Sequence, residues 1–270
     1  MSTPIIALLT DYGSKDFFVA SLKAVILGIQ PEAKIVDISH DVRSFDIREG
    51  AFLLFGCFRF FPAGTIFAVV VDPGVGTERR LLLVETKKYF FIAPDNGVLS
   101  YVLNADKPER IVSLSNEKFF LAGPGRTFDG RDKMAPAAAW LSQGCALEEF
   151  GPPLRDYMKF EIHQPGFLKD SVVGHVLYID KFGNLITDIP SESVSRLRAA
   201  GKKKALSLSL ETAVITSFHE TYTRAKKREI FFLPGSLGTI EIARREASAF
   251  EVLKTEPGAR VEISPRSRRR

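Results

Sequence analysis

Short apolar runs alternate with helical patterns over the first 150 residues, and this alternation constrains the fold more than any other feature. It is typical of β-α-β units, which build a parallel sheet covered by helices. We therefore predict an α/β domain over residues 1–160, with a parallel or mixed sheet flanked by helices. The predicted strands are residues 5–10, 34–39, 64–72, 80–86 and 89–97, and the predicted helices are residues 16–29, 46–61, 96–103 and 131–141.

The pattern changes after about residue 165, where strand-like alternation replaces the helical period. Several short segments of this kind follow one another with turn residues between them, and the exception is a short charged helix predicted at residues 191–200. Such spacing indicates a small all-β barrel or sandwich. We place this second domain at residues 161–270, including a basic tail.

Composition limits the classes of function. The net charge of +5 lies largely in residues 201–204 and 265–270. Neither run is interleaved with aromatic residues, so nucleic-acid binding is not expected, and the tail is its only support. No apolar run approaches the ~18 residues of a membrane span, so we expect a cytoplasmic protein with no membrane partner. Cys57 and Cys145 fit buried free thiols, and the four histidines lack ligand spacing, so no metal is predicted.

Polar residues recur where predicted strands end. Asp72 ends the third strand, and a Pro-Gly turn then leads to Arg79. Because ligand sites of open α/β sheets form at strand ends, we expect this pair to lie in a site, although a solvated surface ion pair has the same spacing. Each of the other polar groups, taken alone, is explained as a helix cap or a structural side chain, but their convergence favours a binding site. They are Asp11 with Asp16, Asp37 with His40, Asp95 with Asn96, and Asp129 with Arg131 and Asp132.

Seven segments occur in the order seen in a known family: LLTDYG, IVDISHDV, FPAGTIFAVVVDPGVGTERR, APDNGVLS, TFDGRD, IDKFGNLITDI and GSLGTIEIA. On these segments the chain resembles the S-adenosyl-L-methionine (SAM) hydroxide adenosyltransferases, hydrolytic relatives of the fluorinases and chlorinases. The resemblance implies a sheet domain followed by a β-barrel, and a homotrimer that binds SAM between subunits. The implied reaction is displacement at C5′ of SAM by water, which gives adenosine and L-methionine. SAM is the substrate, and no cofactor is implied.

The resemblance also implies the catalytic residues. Asp72 and Arg79 match the first two members of the Asp, Arg and His trio that holds the water in the hydrolases. The third position departs from the family, because Asp129 stands where the hydrolases tend to have histidine. Two carboxylates that share one arginine repel each other and can share a proton, which still leaves a base. The same change leaves open a second interpretation, a trimer that binds adenosine or SAM without turnover and that Asp129→His converts to a hydrolase.

A halogenase is the less favoured enzyme. In the resemblance, halogenases carry tyrosine at the position of Asp72, and the fluorinase carries its halide-site serine at the position of Gly130. A carboxylate at Asp72 would repel a halide ion. The long insertion of the fluorinase is also missing.

The resemblance further assigns substrate contacts in two groups. Those in the first domain are Asp11 for the ribose hydroxyls, Asp16, Phe17 and Phe18 for the methionine end, Phe45 for stacking, and Asn96 and Gly130. Those from the neighbouring subunit are Asp180 for the amino group, Phe182 and Asn184 for adenine, Ser236 for the carboxylate, and Arg244 and Glu246 beside adenine.

Overall fold

The computed structural model describes residues 3–122, 127–200 and 205–266. They form two compact units, Met1–Glu161 and Ile162–Arg270, each with its own sheet and core. The basic run at residues 201–204 and the tail residues 267–270 lie outside the described residues. No helix within the described ranges combines the length and apolar character needed to cross a membrane.

The first unit is built on a six-stranded sheet in the order β2-β1-β3-β5-β4-β6. The pairs β1–β2, β1–β3 and β3–β5 are parallel, and β4 pairs antiparallel with both β5 and β6. The predicted parallel or mixed sheet is therefore confirmed as mixed. The strand β6 was not predicted, because only its second half is apolar. The strands are β1 Ile5–Thr10, β2 Lys34–Ser39, β3 Ile66–Val70, β4 Leu81–Thr86, β5 Phe90–Pro94 and β6 Pro108–Ser113.

Helices cover both faces of this sheet. Side chains alternate along β1, so Ile6 and Leu8 belong to the core under α1 and α4, whereas Ala7 and Leu9 belong to the core under α2 and α3. A strand buried on both faces is apolar at every position, which explains its unbroken apolar sequence. The helices are α1 Phe18–Ile29, α2 Ile47–Cys57, α3 Ser100–Ala105 and α4 Ala135–Ser142.

Two predicted helices begin four residues later than expected. The helix predicted from residue 96 begins at Ser100, because Asn96 lies in a turn and its side-chain amide donates to the Val71 carbonyl at 2.8 Å. The helix predicted at residues 131–141 is split, because Gly130–Met134 form a wide π-helical turn before α4. Sequence propensity does not separate a π turn from an α turn, since both use the same backbone region.

The second unit is an antiparallel sheet in the order β11-β10-β14-β8-β9-β13-β12, with β7 paired to β8. Its end strands nearly meet, because the Phe232 N–H donates to the Ser217 carbonyl at 3.0 Å and the His219 N–H donates to the Phe232 carbonyl at 3.1 Å. The predicted β-barrel is confirmed as a nearly closed barrel. Its strands are β7 Gly166–Phe167, β8 Val172–Ile179, β9 Leu185–Pro190, β10 Leu206–Leu210, β11 Ala213–Ile215, β12 Ile230–Pro234, β13 Thr239–Arg244 and β14 Arg260–Pro265, and its helices are α5 Ser191–Ala200 and α6 Phe250–Leu253.

Candidate active site

The predicted polar residues follow neighbouring parallel strands of the first unit. Thr10 at the end of β1 is paired with Val70 at the end of β3, so Asp11 and Asp72 emerge from the same edge of the sheet. The strand β5 is parallel to β3 and is followed by Asn96. The hydrogen bond from Asn96 to Val71 ties two of these strand exits together one residue before Asp72. The convergence expected from the sequence is therefore present at this edge.

A compact turn brings Arg79 back onto Asp72. The Val75 N–H donates to the Asp72 carbonyl at 3.3 Å, and the Thr77 hydroxyl donates to the Gly74 carbonyl at 2.7 Å. Nε of Arg79 then donates to both oxygens of Asp72 at 2.9 Å, and Nη2 donates to Oδ2 at 2.5 Å. The Asp72 side chain is only 6% exposed. The pair is thus a buried, multiply bonded ion pair, and the alternative of a solvated surface pair is wrong.

Asp129 shares the same guanidinium. Nη2 of Arg79 donates to Oδ2 of Asp129 at 2.5 Å, and Asp129 is 2% exposed. The other oxygen, Oδ1, lies 2.9 Å from Nζ of Lys133. The structure therefore brings together all three predicted catalytic residues and adds Lys133, which the sequence analysis missed. The four-residue spacing of Asp129 and Lys133 was the available signal.

Burial and charge shift the ionisation of this cluster. Burial opposes the positive charge of Arg79, but the hydrogen bonds and charges of Asp72 and Asp129 outweigh that cost and raise its pKa. Burial, followed by the negative charges of Asp11, Asp72 and Asp129, raises the pKa of the neighbouring Tyr12 phenol. The guanidinium therefore stays charged and the phenol stays protonated, so neither is available as the base.

Gly130 is required by the packing of Tyr12. A Cβ atom at position 130 would lie 2.6 Å from Oη of Tyr12 and 3.0 Å from a methyl group of Val70. Tyr12 is held in turn by Phe18 and Phe128, with ring centroids 5.5 and 5.6 Å away. This position has no room for a side chain unless Tyr12 moves.

We expect Gly130→Ser to lower the free energy of unfolding by about 1–3 kcal/mol, because overpacking displaces the Tyr12 ring. Chemical denaturation of the purified variant measures the loss. The control is Gly28→Ser, because a Cβ at Gly28 meets no atom within 4 Å. A Gly130→Ser protein as stable as the Gly28→Ser protein would show that Tyr12 moves freely.

Asp11 holds a strained aromatic residue. Phe45 has a φ of 69°, a left-handed conformation that is unusual for a bulky residue, and its ring is 70% exposed. Oδ2 of Asp11 accepts the Phe45 N–H at 2.9 Å. Strain of this kind concentrates at ligand sites, which agrees with the stacking role predicted for Phe45. The other predicted residues nearby are Asp16 and Phe17, both exposed, and Phe18, whose ring packs against Tyr12 and Phe128.

Two of the polar strand exits serve the fold. The His40 ring lies 2.9 Å from the Thr10 hydroxyl and 3.0 Å from Asp37. The backbone carbonyl of His40 accepts the Gly13 N–H at 2.7 Å. Asp95 accepts from Arg80 at 2.6 Å and from the Met158 N–H at 2.6 Å. These contacts fasten loops to the sheet edge and do not include Arg79 or Asp129.

The predicted contacts of the second domain line one cavity of about 650 Å³ in the second unit. Asp180 organises its wall, because Oδ1 accepts the N–H groups of Phe182 and Asn184 at 2.9 and 2.8 Å, and Oδ2 accepts from the Asn184 amide at 2.9 Å. The Phe182 ring is 75% exposed at this cavity. The predicted lining residues are Asp180, Phe182, Asn184, Ser236, Arg244 and Glu246.

The sequence analysis missed Glu241 and Tyr222, which line the same cavity. Glu241 is 7% exposed on β13, and its Oε2 accepts from the Tyr222 hydroxyl at 2.7 Å. Its Oε1 accepts the Ser236 N–H at 3.3 Å. Burial and the Glu241 hydrogen bond raise the pKa of Tyr222, which keeps the phenol protonated as the donor. A lone charge inside the apolar run TIEIA was the signal for Glu241.

We expect Glu241→Leu to lower the free energy of unfolding of the second unit by about 0.5–1.5 kcal/mol, because the Tyr222 hydroxyl and the Ser236 N–H lose their acceptor. Thermal unfolding of the full chain reports this loss. Glu241→Gln keeps an acceptor oxygen in the same place and should lose less. Equal losses in the two variants would mean that size, and not the hydrogen bonds, matters at this position.

Within the described ranges, no three His, Cys, Asp or Glu side chains are grouped so that they could hold a metal ion.

A mixed sheet with a buried carboxylate–arginine centre at its edge, followed by a small barrel whose cavity is lined by Asp180, Asn184 and Glu241, defines a two-unit protein built to bind a small molecule. Two domain profiles of one family match the chain. The chain belongs to the SAM hydroxide adenosyltransferase family, whose N-terminal domain profile matches residues 6–151 and whose C-terminal domain profile matches residues 174–262. The family resemblance inferred from the motifs is thereby confirmed.

Relatives of similar length carry two kinds of name. A protein of Thermus thermophilus named (R)-S-adenosyl-L-methionine hydrolase is 33% identical, over 94% of this chain and 97% of its own length. One of the same name from Methanocaldococcus jannaschii is 30% identical, over 96% of this chain and 95% of its own. A protein of Nocardia brasiliensis named fluorinase is 30% identical, over 96% of both chains. The crystal structure of an uncharacterized conserved protein from Thermotoga maritima is similar, with a TM-score of 0.89, 34% identity and coverage of 96% of this chain and 99% of that chain.

Proposed function

We propose that the protein is a SAM hydrolase that converts SAM and water to adenosine and L-methionine by attack of water at C5′. The full-length similarity to proteins named (R)-S-adenosyl-L-methionine hydrolase supports this activity. The observation that carries it is the buried cluster in which Arg79 binds both Asp72 and Asp129. These are the three residues that the motifs assign to the water.

The chemistry of SAM fits such a cluster. The leaving group is a neutral thioether released from a sulfonium, so it needs no general acid. The water needs a proton acceptor, desolvation and alignment with the breaking bond. Asp72 is our candidate acceptor, and Arg79 stabilises the negative charge that develops on the attacking oxygen. The further carboxylate of Asp11 at the same edge of the sheet also suits a cationic substrate.

We propose that the substrate uses residues of both units, in a homotrimer with sites between subunits. The supporting observation is that the candidate catalytic groups belong to the first unit, whereas the predicted adenine and amino-acid contacts line a cavity of the second. Mass photometry of the full chain tests the trimer. The predicted cytoplasmic location and the absence of a cofactor stay predictions.

Hydrolysis is favoured over halogenation by two features of the site. The Asp72 carboxylate would repel a halide from the water position. A serine at position 130 would clash with Tyr12, because even a Cβ atom there lies 2.6 Å from its hydroxyl. We therefore propose hydrolysis, and not fluorination, for this chain, although some relatives carry the name fluorinase.

The test is incubation of the purified protein with SAM in ¹⁸O-labelled water that contains chloride and fluoride. We expect adenosine and methionine, with the label on the 5′ oxygen of adenosine. A 5′-halogenated nucleoside would indicate a halogenase. If calorimetry shows that the protein binds SAM but no product forms, the result supports the alternative of a binding protein without catalytic activity. The control is SAM incubated without protein, which measures its spontaneous decay.

A further inference from the structure

Lys133 completes a charge-balanced cluster that no motif singled out. Each oxygen of Asp129 has its own cation, with Nη2 of Arg79 at 2.5 Å from Oδ2 and Nζ of Lys133 at 2.9 Å from Oδ1. The Asp129 side chain is 3% exposed, whereas that of Lys133 is 36% exposed. Lys133 therefore reaches from the solvent side to a carboxylate that is almost completely buried.

The π turn sets this geometry. Asp129 immediately precedes the turn Gly130–Met134, and the Ala135 N–H donates to the Gly130 carbonyl across the wide turn. Residues four apart lie on the same side of a helical segment, which places Lys133 over Asp129. π turns interrupt helices frequently at functional sites. The Lys133 amine also lies 5.8 Å from the centroid of the Phe120 ring, within the range of a cation–π contact.

The charge count gives Lys133 its importance. Asp72 and Asp129 carry two negative charges, and Arg79 and Lys133 carry two positive charges. Without Lys133, two buried carboxylates would compete for one guanidinium, and the cluster would be left with a net negative charge. Breaking one pair in such a buried cluster leaves an uncompensated charge, which the protein relieves by taking up a proton or by moving a side chain.

We propose that Lys133 is a positioning residue of the reaction: by pairing with Oδ1 of Asp129 it balances the charge of that carboxylate and holds it on Arg79, so that Asp72 keeps its place on the same guanidinium and accepts the proton of the water. This inference rests on the proposed hydrolase function. Lys133 acts through Asp129 and does not itself touch the substrate.

A double-mutant cycle tests the proposal with Lys133→Met, Asp129→Asn and the double variant in the full chain. Initial rates of adenosine release are measured from pH 5 to 9 at several SAM concentrations. We expect Lys133→Met to lower kcat about tenfold, as for coupled members of one ion-pair network, with KM little changed. We also expect the acid limb of its pH profile to move to higher pH. Lys133→Arg should recover most of the rate, because it restores the cation.

The pH readout depends on the groups that face Asp129. They include Arg79 and Asp72 after β3, Lys133 from the same turn, and the Tyr12 phenol beside Gly130. Glu78, Arg80, Glu117 and Asp132 also line the cavity that Asp129 and Lys133 line. In the Asp129→Asn background the Lys133→Met change should have no further effect on kcat, because the charge that Lys133 compensates is gone. The matched control is Lys118→Met, since Lys118 also pairs with a carboxylate and lies over a phenylalanine ring, but is 71% exposed.

The outcomes separate this inference from the proposed function. An active wild-type protein whose Lys133→Met variant keeps its kcat and pH profile overturns the role of Lys133 alone. Independent, multiplying effects of Lys133→Met and Asp129→Asn overturn it as well. A wild-type protein that releases no adenosine overturns the proposed function, and this inference with it. Circular dichroism of each variant at the assay temperature corrects the rates for any unfolded fraction.

Discussion

Asp72→Asn is expected to slow adenosine release by about 10²–10⁴-fold, the contribution typical of a positioned general base. Asparagine keeps the size of the side chain but cannot accept the proton that the attacking water loses. The affinity for SAM should change little, because Asp72 is assigned to the water. Single-turnover formation of adenosine measures the chemical step, and calorimetry measures binding.

The control for this variant is Asp156→Asn. Asp156 also pairs with an arginine of the first unit, Arg80, at 3.1 Å, but its side chain is 81% exposed. We expect this protein to keep the wild-type rate. An Asp72→Asn protein that stays within tenfold of the wild-type rate would show that another group accepts the proton.

Arg79→Met should destabilise the protein by about 3–5 kcal/mol near pH 7, because it leaves the buried carboxylates of Asp72 and Asp129 without their shared cation. The same variant should release almost no adenosine. The deficit in stability should shrink as the pH falls, since the folded variant then binds protons that the unfolded chain does not, and those protons remove the repulsion. Denaturant titrations at pH 5 and pH 7 measure this trend.

Arg110→Met is the matched control for Arg79. Arg110 also bridges two carboxylates, those of Glu85 and Glu148, but its side chain is 48% exposed. Exposed pairs contribute about 0–1 kcal/mol, so this variant should be nearly as stable as the wild type. Equal losses in the two variants would show that burial does not govern the energetics of the Arg79 cluster.

Much of the sheet was predictable because its strands are buried on both faces. The run Ile5–Thr10 has no polar residue before Thr10, and such a run between turn residues admits few other assignments. The strand β6 escaped because Glu109 and Arg110 interrupt its apolar pattern. The late start of α3 was also not predicted, because the Asn96 amide donates to the Val71 carbonyl, 25 residues away, and does not cap the helix.

The candidate site was predictable as a set of residue types but not as a set of contacts. Asp129 and Arg79 are separated by 50 residues, and only the folded chain shows that they share one hydrogen bond. The pairing of Lys133 with Asp129 was not predicted, because an Asp and a Lys four residues apart usually form a solvated surface pair. Glu241 was not predicted because its hydrogen-bond partner, the Tyr222 hydroxyl, lies 19 residues earlier in the chain.

The π turn before α4 joins a half-exposed lysine to a buried helix. The turn takes up one residue more than a regular helical turn, and the helix that follows packs its run of alanines, Ala137, Ala138 and Ala139, completely buried against the sheet. Gly130 and Met134 of the turn are buried, and Met134 belongs to the core, whereas the Lys133 side chain is 36% exposed and can be exchanged without disturbing the core. The turn therefore places a replaceable side chain, that of Lys133, against the buried carboxylate of Asp129, so the charge at this edge can change while α4 stays in place.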